Sequence, residues 1–316
     1  MPPLSHQTLI EAQIAEWAKA LPKGNLYAPM AYLMGLPAKR VRPMLVLMAC
    51  ELFGGRAEDA LDEALGIELF HNFTLMHDDI MDAAPLRRGQ PTVHEKWDEN
   101  TAILSGDAML VKAYQLMAKR PEVSALFSSY ALNVCEGQQL DMDYEQRSDV
   151  GTEEYRAMIR LKTAVLLACA LRVGAAIAGA SQEDSARIGA FGEHIGLAFQ
   201  LRDDLLDAFG DQAKTGKQQG GDLRAGKKTF LLIRGLEISA ANGRSELREE
   251  LAKPSEQRDV ARMLNVLGEL RVREEAEQTV MAEELKAREA LESVAVDDPR
   301  KAPLRELAGL LMRRSH

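Results

Sequence analysis

The sequence predicts an all-α protein, and three observations lead to that prediction. Apolar residues recur at intervals of three and four along nearly every segment, which is the period of an amphipathic helix. Ala, Leu, Met and Glu, which favour helices, are frequent, while aromatic residues make up only 5% of the chain. The one Gly/Lys-rich stretch, residues 215–229, is too short for a domain linker. We therefore expect a single helical domain over residues 1–316.

Proline and glycine residues mark where the predicted helices end. Gly54 and Gly55 close one helix, Pro85 follows another, and Gly210 ends a long one. The pattern predicts helices over residues 8–20, 43–53, 58–82, 100–119, 122–142, 153–179, 184–209 and 231–240. The Gly/Lys-rich stretch lies between the last two, where a loop of that length is typical of a functional segment.

Charge and cysteine content exclude several classes of function. The chain has 39 Lys and Arg against 48 Asp and Glu, a net charge of −9, so binding of nucleic acid through bulk positive charge is excluded. Its three cysteines are widely spaced and indicate neither a disulfide scaffold nor a zinc site. The N-terminus lacks signal-peptide order, and no apolar run approaches the ~18 residues of a membrane span. We expect a cytoplasmic protein without stable membrane insertion.

Two segments, LMHDDIMDAA and QLRDDLLDAF, resemble each other, and each closes an apolar helix with Asp-Asp-x-x-Asp. Residues i and i+4 of a helix lie on one face, with Cβ atoms ~5–6 Å apart. Carboxylate oxygens suit Mg²⁺, which substrate phosphates typically complete, and a helix C-terminus favours cations. We therefore predict that the two helices face each other and bind Mg²⁺ through Asp78, Asp79, Asp82, Asp203, Asp204 and Asp207.

The alternative for a single such row is a solvated helix surface, because Asp is common there. Both rows follow strongly apolar helical turns, however, and six clustered acids would repel one another without a metal. The pair of rows therefore favours a metal site.

Basic residues occur at predicted loops and helix starts, where phosphate is readily bound. Arg offers a planar fork for phosphate oxygens, and Lys a point charge. His71 lies seven residues before Asp78, two helical turns away on the same face. Together with the acidic rows, these groups predict a site for two diphosphates and Mg²⁺. The basic residues are Lys39, Arg42, Arg87, Arg88, Lys162, Lys217 and Lys227.

The order and spacing of these motifs resemble the trans-isoprenyl diphosphate synthases of the polyprenyl synthetase family. The resemblance implies an isoprenoid synthase-like helical bundle around a central cavity, and a homodimer. It also implies head-to-tail condensation of isopentenyl diphosphate with an allylic diphosphate (dimethylallyl, geranyl or farnesyl). The matching segments are KRVRP (39–43), HDDIMD (77–82), RRGQPTVHEKW (87–97), KT (162–163), FQLRDDLLD (199–207) and GKQQGGDLRAGKKT (216–229).

The resemblance also implies a role for each matched residue. Asp78 and Asp82 would be the main ligands of the first metal row and Asp203 the chief ligand of the second, with three Mg²⁺ ions per site. The oxygens of Thr163 and Gln200 would face the developing carbocation. The isopentenyl diphosphate site would comprise Lys39, Arg42, His71 and Arg88, and the allylic site Arg87, Lys162, Lys217 and Lys227. One departure is Ala38, where the family often has Gly.

Product length is predicted from the first acidic helix. The resemblance places the floor of the product cavity five residues before Asp78, at Phe73, beside Thr74. A bulky Phe there is typical of short-chain enzymes, which favours a C20 product with C15 close behind. Helical geometry puts Phe73 about 140° from Asp78, so this role depends on the family, and an ordinary core position is the alternative.

Two other functions share part of the pattern. A class I terpene cyclase would have no use for Lys39, Arg42 and Arg88, and its second motif normally carries Ser or Thr at the position of Asp207. A non-catalytic subunit of another synthase would be expected to lose aspartates, whereas this chain keeps all six. A condensing enzyme is therefore the favoured interpretation.

Overall fold

The computed structural model describes residues 3–210 and 219–312, and helices dominate both ranges, which confirms the predicted fold class. The α-helices of these ranges are α1 (Pro3–Ala20), α2 (Ala28–Gly35), α3 (Val41–Leu52), α4 (Leu61–Met81), α5 (Val93–Lys96), α6 (Glu99–Met117), α7 (Pro121–Glu145), α8 (Thr152–Ile159), α9 (Val165–Ile177), α10 (Gln182–Phe209), α11 (Gly221–Ala225), α12 (Phe230–Ala241), α13 (Glu246–Leu251), α14 (Val260–Glu269), α15 (Val272–Glu292) and α16 (Asp298–Met312).

Most predicted helices match within a few residues, and the main exception has a local cause. The helix predicted over residues 153–179 is interrupted by a single π-helical turn, Arg160–Ala164, which lies between α8 and α9. Turns of this kind are rare and occur frequently at functional sites. Helix α2 was not predicted, because Pro22, Gly24 and Pro29 crowd that part of the sequence.

The loop predicted after the first acidic helix contains a small hairpin. Strands β1 (Leu86–Arg87) and β2 (Gln90–Pro91) pair antiparallel. The two residues between them, Arg88 and Gly89, have φ of 53° and 74°. Left-handed conformations at both central positions are what a type I′ two-residue turn requires. The hairpin therefore holds Arg87 on a paired strand and Arg88 at the turn.

The chain forms two compact units, each assembled from separate stretches of sequence. The first comprises the described residues up to Ser129 together with Cys169–Ala186 and Ala295–Leu304. Its centre is the N-terminal part of α4, where residues 63–70 are all buried. Six of these eight residues are apolar, so this part of α4 lies in the core, where the Phe70 ring packs edge-on against Phe127 with the ring centroids 5.2 Å apart.

The second unit comprises Tyr130–Ala168, Arg187–Val294 and the described residues from Arg305 onward. Its core joins α8 and α10 to the C-terminal helices α12 to α15. Buried Glu283 on α15 accepts a hydrogen bond from His194 at 2.7 Å and is paired with Arg156. Burial raises the pKa of Glu283, but the bonds from His194 and Lys286 and the charge of Arg156 outweigh it and lower this pKa to about 2. The region after residue 240 thus contributes core and ionic contacts to this unit.

Two expectations are not settled by this architecture. The single domain over residues 1–316 stays a prediction, as does the facing arrangement of the two acidic helices. Within the described ranges, no helix is both long enough and apolar enough to cross a lipid bilayer.

Candidate active site

The first aspartate row lies at the C-terminal end of α4, which Asp82 caps. Asp78 and Asp82 are one turn apart, and both are at least partly exposed. Asp79 is only 2% exposed, and the Arg87 Nε donates to both of its carboxylate oxygens, at 2.9 and 2.8 Å. The row therefore presents two aspartates on one face and holds the third against an arginine.

The backbone after α4 explains how Arg87 reaches that position. Ala83 adopts a left-handed conformation with φ of 47°, and the Ala84 N–H donates to the carbonyl of Asp79 at 2.9 Å. The chain thus reverses immediately after the helix, and β1 carries the guanidinium back over the last turn. Arg87 Nη2 also lies 3.9 Å from an oxygen of Asp78, so the arginine neutralises part of the row.

A second element of the same unit gathers cationic side chains around a histidine. Arg42 Nη1 lies 3.1 Å from His71 Nε2. Because a guanidinium can only donate, the His71 ring accepts this bond and is neutral. Burial, and then the charges of Arg42 and Arg88, place the pKa of His71 well below its usual range.

Two features of this cation pocket, defined as Arg42, His71 and Arg88, indicate an anion. Burial lowers the pKa of Arg42 to about 10, with Glu68 opposing and Arg88 adding to the effect. The buried Arg42 Nε has no hydrogen-bond partner among the residues that the structure describes. A buried donor without an acceptor is costly, so the pocket is arranged to receive anionic oxygens.

Arg40 shapes the loop from which this pocket is built. Its φ is 49°, and its buried side chain donates to Glu68 at 2.7 Å and to Glu11 at 2.9 Å. The residue therefore fixes the backbone between Lys39, which is exposed, and Arg42, which is half-buried. In the basic run, Arg40 is therefore a structural residue, while Lys39 and Arg42 can face a ligand.

The second aspartate row lies in the last two turns of α10, in the other unit. Asp203 and Asp207 are half-buried. The Asp207 carboxylate accepts the Asp222 N–H at 2.9 Å, and its carbonyl accepts the Gly220 N–H at 2.7 Å. Asp207 therefore also holds the short helix α11 against the end of α10.

Asp204, the middle residue of this row, is only 4% exposed. Its Oδ2 accepts hydrogen bonds from the Tyr155 hydroxyl at 2.5 Å and the Phe230 N–H at 3.3 Å, and its Oδ1 accepts from Gln200 Nε2 at 3.3 Å. Burial raises the pKa of Asp204 to about 7, although the bond from Tyr155 opposes this shift. In both rows, then, the middle aspartate points inward and is already bonded.

The π-turn presents Lys162 and Thr163, and two glycines make room for it. A Cβ on Gly137 of α7 would lie 2.2 Å from the Lys162 backbone nitrogen, and one on Gly196 of α10 would lie 2.4 Å from the Cα of Ala164. Real Cβ atoms do not approach so closely. At these two positions the backbones of α7 and α10 approach the turn too closely for any side chain to fit between them.

The side chains of the π-turn have polar partners within the same unit. Lys162 Nζ lies 2.5 Å from an oxygen of Asp141. The Thr163 hydroxyl donates to Gln200 Oε1 at 3.3 Å. The structure thus brings together two of the predicted residues, Thr163 and Gln200, and adds a carboxylate beside the lysine.

The predicted Gly/Lys-rich segment is only partly described. Lys217 lies outside the described residues. Lys227 is exposed and follows Gly226, which ends α11 with φ of 75°. The roles of Lys217 and Lys227 in an allylic diphosphate site therefore stay predictions.

Phe73 belongs to an aromatic cluster at the centre of α4. Its ring centroid lies 5.6 Å from that of Phe70 and 4.8 Å from that of His77, and Phe70 continues the cluster to Phe127. The Thr74 hydroxyl donates to a carbonyl of its own helix at 2.8 Å. A cavity floor and an ordinary core position both agree with this environment, so the chain-length role stays a prediction.

The donor sets of both rows fit Mg²⁺ chemically, since they offer hard carboxylate oxygens. Among the residues that the structure describes, no three His, Cys, Asp or Glu side chains form a ready-made metal cage. Mg²⁺ usually keeps several waters and takes the remaining ligands from substrate phosphates. Pairs of carboxylates on a helix face therefore suit a metal that arrives with its substrate.

Sequence reasoning missed five residues that shape these elements. The isolated glycines carried a usable signal, because a glycine inside a helix costs about 1 kcal/mol and so needs a packing reason. The polar residues among them carried no such signal in the sequence, because their hydrogen-bond partners are distant along the chain. The missed residues are Arg40, Gly137, Asp141, Tyr155 and Gly196.

Together, the helical fold, the two carboxylate rows and the cation pocket define an enzyme class that acts on diphosphates. Comparison with known proteins identifies the family. The sequence model of polyprenyl synthetase matches residues 23–267, and the chain therefore belongs to the polyprenyl synthetase family. This confirms the predicted family and enzyme class, a trans-prenyltransferase.

Individual relatives are similar over most of the chain. A short chain isoprenyl diphosphate synthase of Methanothermobacter thermautotrophicus is 35% identical over 98% of this chain and 97% of its own length. A geranylgeranyl diphosphate synthase of Methanosarcina mazei is 40% identical over 72% of each chain. A crystal structure of geranylgeranyl pyrophosphate synthase matches with a TM-score of 0.93 at 40% identity, covering 99% of this chain and 98% of the other.

Proposed function

We propose that this enzyme condenses isopentenyl diphosphate with an allylic diphosphate to form C20 geranylgeranyl diphosphate, with a C15 product as the alternative. The observation that carries the proposal is that the first unit contains two distinct elements that suit a diphosphate. One is the helix face of half-buried Asp78 and exposed Asp82, which suits a diphosphate bound through a metal, and the other is the cation pocket. Joining two diphosphates needs both elements, whereas a cyclase that ionises one diphosphate needs only the first.

The carboxylates of each row would hold Mg²⁺ ions that come with the allylic diphosphate, three of them in the full complement. Asp78, Asp82 and Asp203 would be the principal ligands. When bound, the metal neutralises charge that grows on the departing diphosphate.

The cationic residues would bind the same leaving group. Arg87 would exchange some of its contact with Asp79 for phosphate oxygens, and Lys162 would do so with Asp141. Lys217 and Lys227 would add charge from the Gly/Lys-rich segment. Donors held in place before the reaction stabilise the developing anion without a reorganisation cost.

Isopentenyl diphosphate would occupy the cation pocket. Arg42, whose Nε has no partner among the described residues, would donate to its phosphate oxygens together with Arg88 and the exposed Lys39. A neutral His71 would act as a polar contact and leave the charge to the arginines.

The chemical step needs no protein nucleophile. Thr163 and Gln200 would direct oxygens at the allylic cation while apolar surroundings exclude water, so that the alkene of isopentenyl diphosphate captures it. The proton would then pass to the released diphosphate. We also propose, from the family resemblance, that the enzyme is a cytoplasmic homodimer without membrane insertion.

The test is a product assay. The purified protein is incubated with Mg²⁺, isopentenyl diphosphate and a C5, C10 or C15 allylic diphosphate, and the products are identified by mass spectrometry. We expect elongated prenyl diphosphates. A hydrocarbon product would indicate a cyclase, and absence of product with every primer would indicate a non-catalytic subunit.

A matched pair of variants on α4 assigns the activity to the row. We expect Asp78→Asn to reduce kcat at least about 100-fold, the scale of losing a main electrostatic contact. Asp62, an exposed acid in the first turn of the same helix, pairs with Lys119 on the surface. Asp62→Asn should change kcat less than about twofold, because exposed pairs contribute little. Equal effects of the two variants would contradict the metal assignment.

A further inference from the structure

The buried carboxylate of Asp204 is the centre of a polar network that joins four elements of the second unit. It receives the Tyr155 hydroxyl from α8, Gln200 Nε2 from one turn earlier on α10, and the Phe230 N–H from the start of α12. Gln200 in turn accepts a hydrogen bond from Thr163 of the π-turn. Every described contact of Asp204 is therefore one in which it accepts.

This arrangement sets the orientation of the Gln200 amide. An amide has a donating NH₂ end and an accepting oxygen end, and its neighbours determine which way it points. Because Asp204 is an acceptor, it selects the NH₂ end of Gln200. The oxygen end must then face Thr163, at 3.3 Å.

We propose that Asp204 is a positioning residue rather than a magnesium ligand: by accepting from Gln200 Nε2, it keeps Gln200 Oε1 directed toward Thr163 and the reacting carbon. This inference rests on the proposed function, in which those two oxygens face the allylic cation. An oxygen stabilises developing positive charge, whereas the NH₂ group of a reversed amide would repel it. Tyr155 shares the role, because its hydroxyl holds the other oxygen of Asp204.

The contrast with Asp203 supports the assignment. Successive residues of a helix lie 100° apart, so the two carboxylates cannot share a face. Asp203 is half-buried, whereas Asp204 is 4% exposed and has donors on both oxygens. Asp204 already accepts three hydrogen bonds, so a metal ion would have to reach a carboxylate that is almost closed to solvent and most of whose acceptor sites are taken.

The substitution Asp204→Asn separates the two roles. The introduced Asn amide accepts only through its oxygen and donates through its NH₂ group. With its oxygen held by Tyr155 and the Phe230 N–H, its NH₂ group would face Gln200, and the Gln200 amide would turn over to accept from it. If Asp204 positions Gln200, this variant should bind Mg²⁺ with inorganic pyrophosphate within about threefold of wild type, measured by titration calorimetry, while kcat falls about 100-fold, the cost typical of ~1 Å misplacement. Asp203→Asn should weaken the calorimetric binding at least about tenfold, as loss of a metal contact does.

A double-mutant cycle with Gln200→Ala tests whether the two residues act together. In the Gln200→Ala background, Asp204→Asn should reduce kcat by less than about twofold, because coupled residues do not add. Tyr155→Phe, which retains the ring, should reduce kcat in the same direction with unchanged pyrophosphate binding. If circular dichroism shows the Asp204→Asn variant to be unfolded, Tyr155→Phe takes its place in the double-mutant cycle.

Two results would overturn the proposal. One is a loss of Mg²⁺–pyrophosphate binding in Asp204→Asn equal to that in Asp203→Asn, which would make Asp204 a ligand. The other is a fall in kcat on adding Asp204→Asn to the Gln200→Ala variant that is as large as the fall it causes in the wild-type protein. If the wild-type protein made no prenyl diphosphate, the proposed function would fail separately, and the calorimetric comparison would still decide whether Asp204 binds metal.

Discussion

Adding one methyl group at Gly137 should displace the π-turn, because this glycine lies directly against the backbone of the turn. Gly137 lies inside α7, and a Cβ there would stand 2.2 Å from the Lys162 nitrogen, 2.6 Å from the Leu161 carbonyl carbon and 2.7 Å from the Lys162 Cα. All three atoms are backbone, so no side chain can rotate away. In the variant Gly137→Ala, the turn itself has to move.

The size of the effect follows from these distances. Ordinary contact begins near 3.4 Å, so the Lys162 backbone must retreat by about 1 Å from 2.2 Å. Overpacking of this kind costs typically 1–3 kcal/mol, and alanine returns about 1 kcal/mol of helix propensity. Because the contact is with backbone that cannot rotate away, we take the upper end of the overpacking cost and expect a net loss of about 2 kcal/mol in the free energy of unfolding. Because Lys162 and Thr163 move with the turn, kcat should fall about 100-fold.

Urea denaturation followed by circular dichroism measures the first effect, and steady-state product formation measures the second. The control is Gly268→Ala, since Gly268 lies inside α14 and nothing is within 4 Å of its added Cβ. That variant should gain up to about 1 kcal/mol and keep full activity. If Gly137→Ala behaved like Gly268→Ala, the close approach of α7 to the π-turn would be refuted.

Three further predictions concern the first unit. Arg40→Met leaves the Glu68 carboxylate buried without its guanidinium partner, so the free energy of unfolding should fall by about 3 kcal/mol. The control Glu11→Gln removes the exposed partner of Arg40 and should cost less than about 1 kcal/mol. Equal losses in urea denaturation would contradict this expectation. The folded protein keeps His71 neutral while the unfolded chain protonates it, so stability should be full above about pH 6.5 and fall below it, by up to about 1.4 kcal/mol per pH unit. His71→Asn should flatten that slope in urea titrations at pH 7.5 and 5.5, and an unchanged slope would assign it to another group. Phe73→Ala should lengthen the prenyl product seen by mass spectrometry; an unchanged product would remove Phe73 from the cavity floor.

Helical spacing places the first and last aspartates of each row on one face of its helix. Residues i and i+4 share a face, and in the first row Asp78 is half-buried and Asp82 exposed, whereas Asp79 between them is buried. The same geometry places residue i+1 about 100° around the helix, which separates Asp79 from its neighbours. The assignment of all six aspartates to metal stays a prediction, and this angle is the geometric reason to test the middle aspartate of each row separately.

Other parts of the site depend on contacts that no local pattern records. Tyr155 meets Asp204 across 49 positions, and Lys162 meets Asp141 across 21. The π-turn also escapes prediction, because an extra residue in a helix hardly disturbs its apolar period. The basic run at residues 39–42 was recognised, yet only packing shows that Arg40 points into the core.

The discontinuous make-up of the first unit has a consequence for how the protein is made. Its last segment, Ala295–Leu304, is close to the end of the chain, and Arg300 lies against Gly54 while the Ala295 N–H bonds to Asp184. A nascent polypeptide emerges from the ribosome N-terminus first. The N-terminal residues must therefore wait until residue 304 has been synthesised before their unit is complete, and a chain terminated before that point leaves both units unfinished.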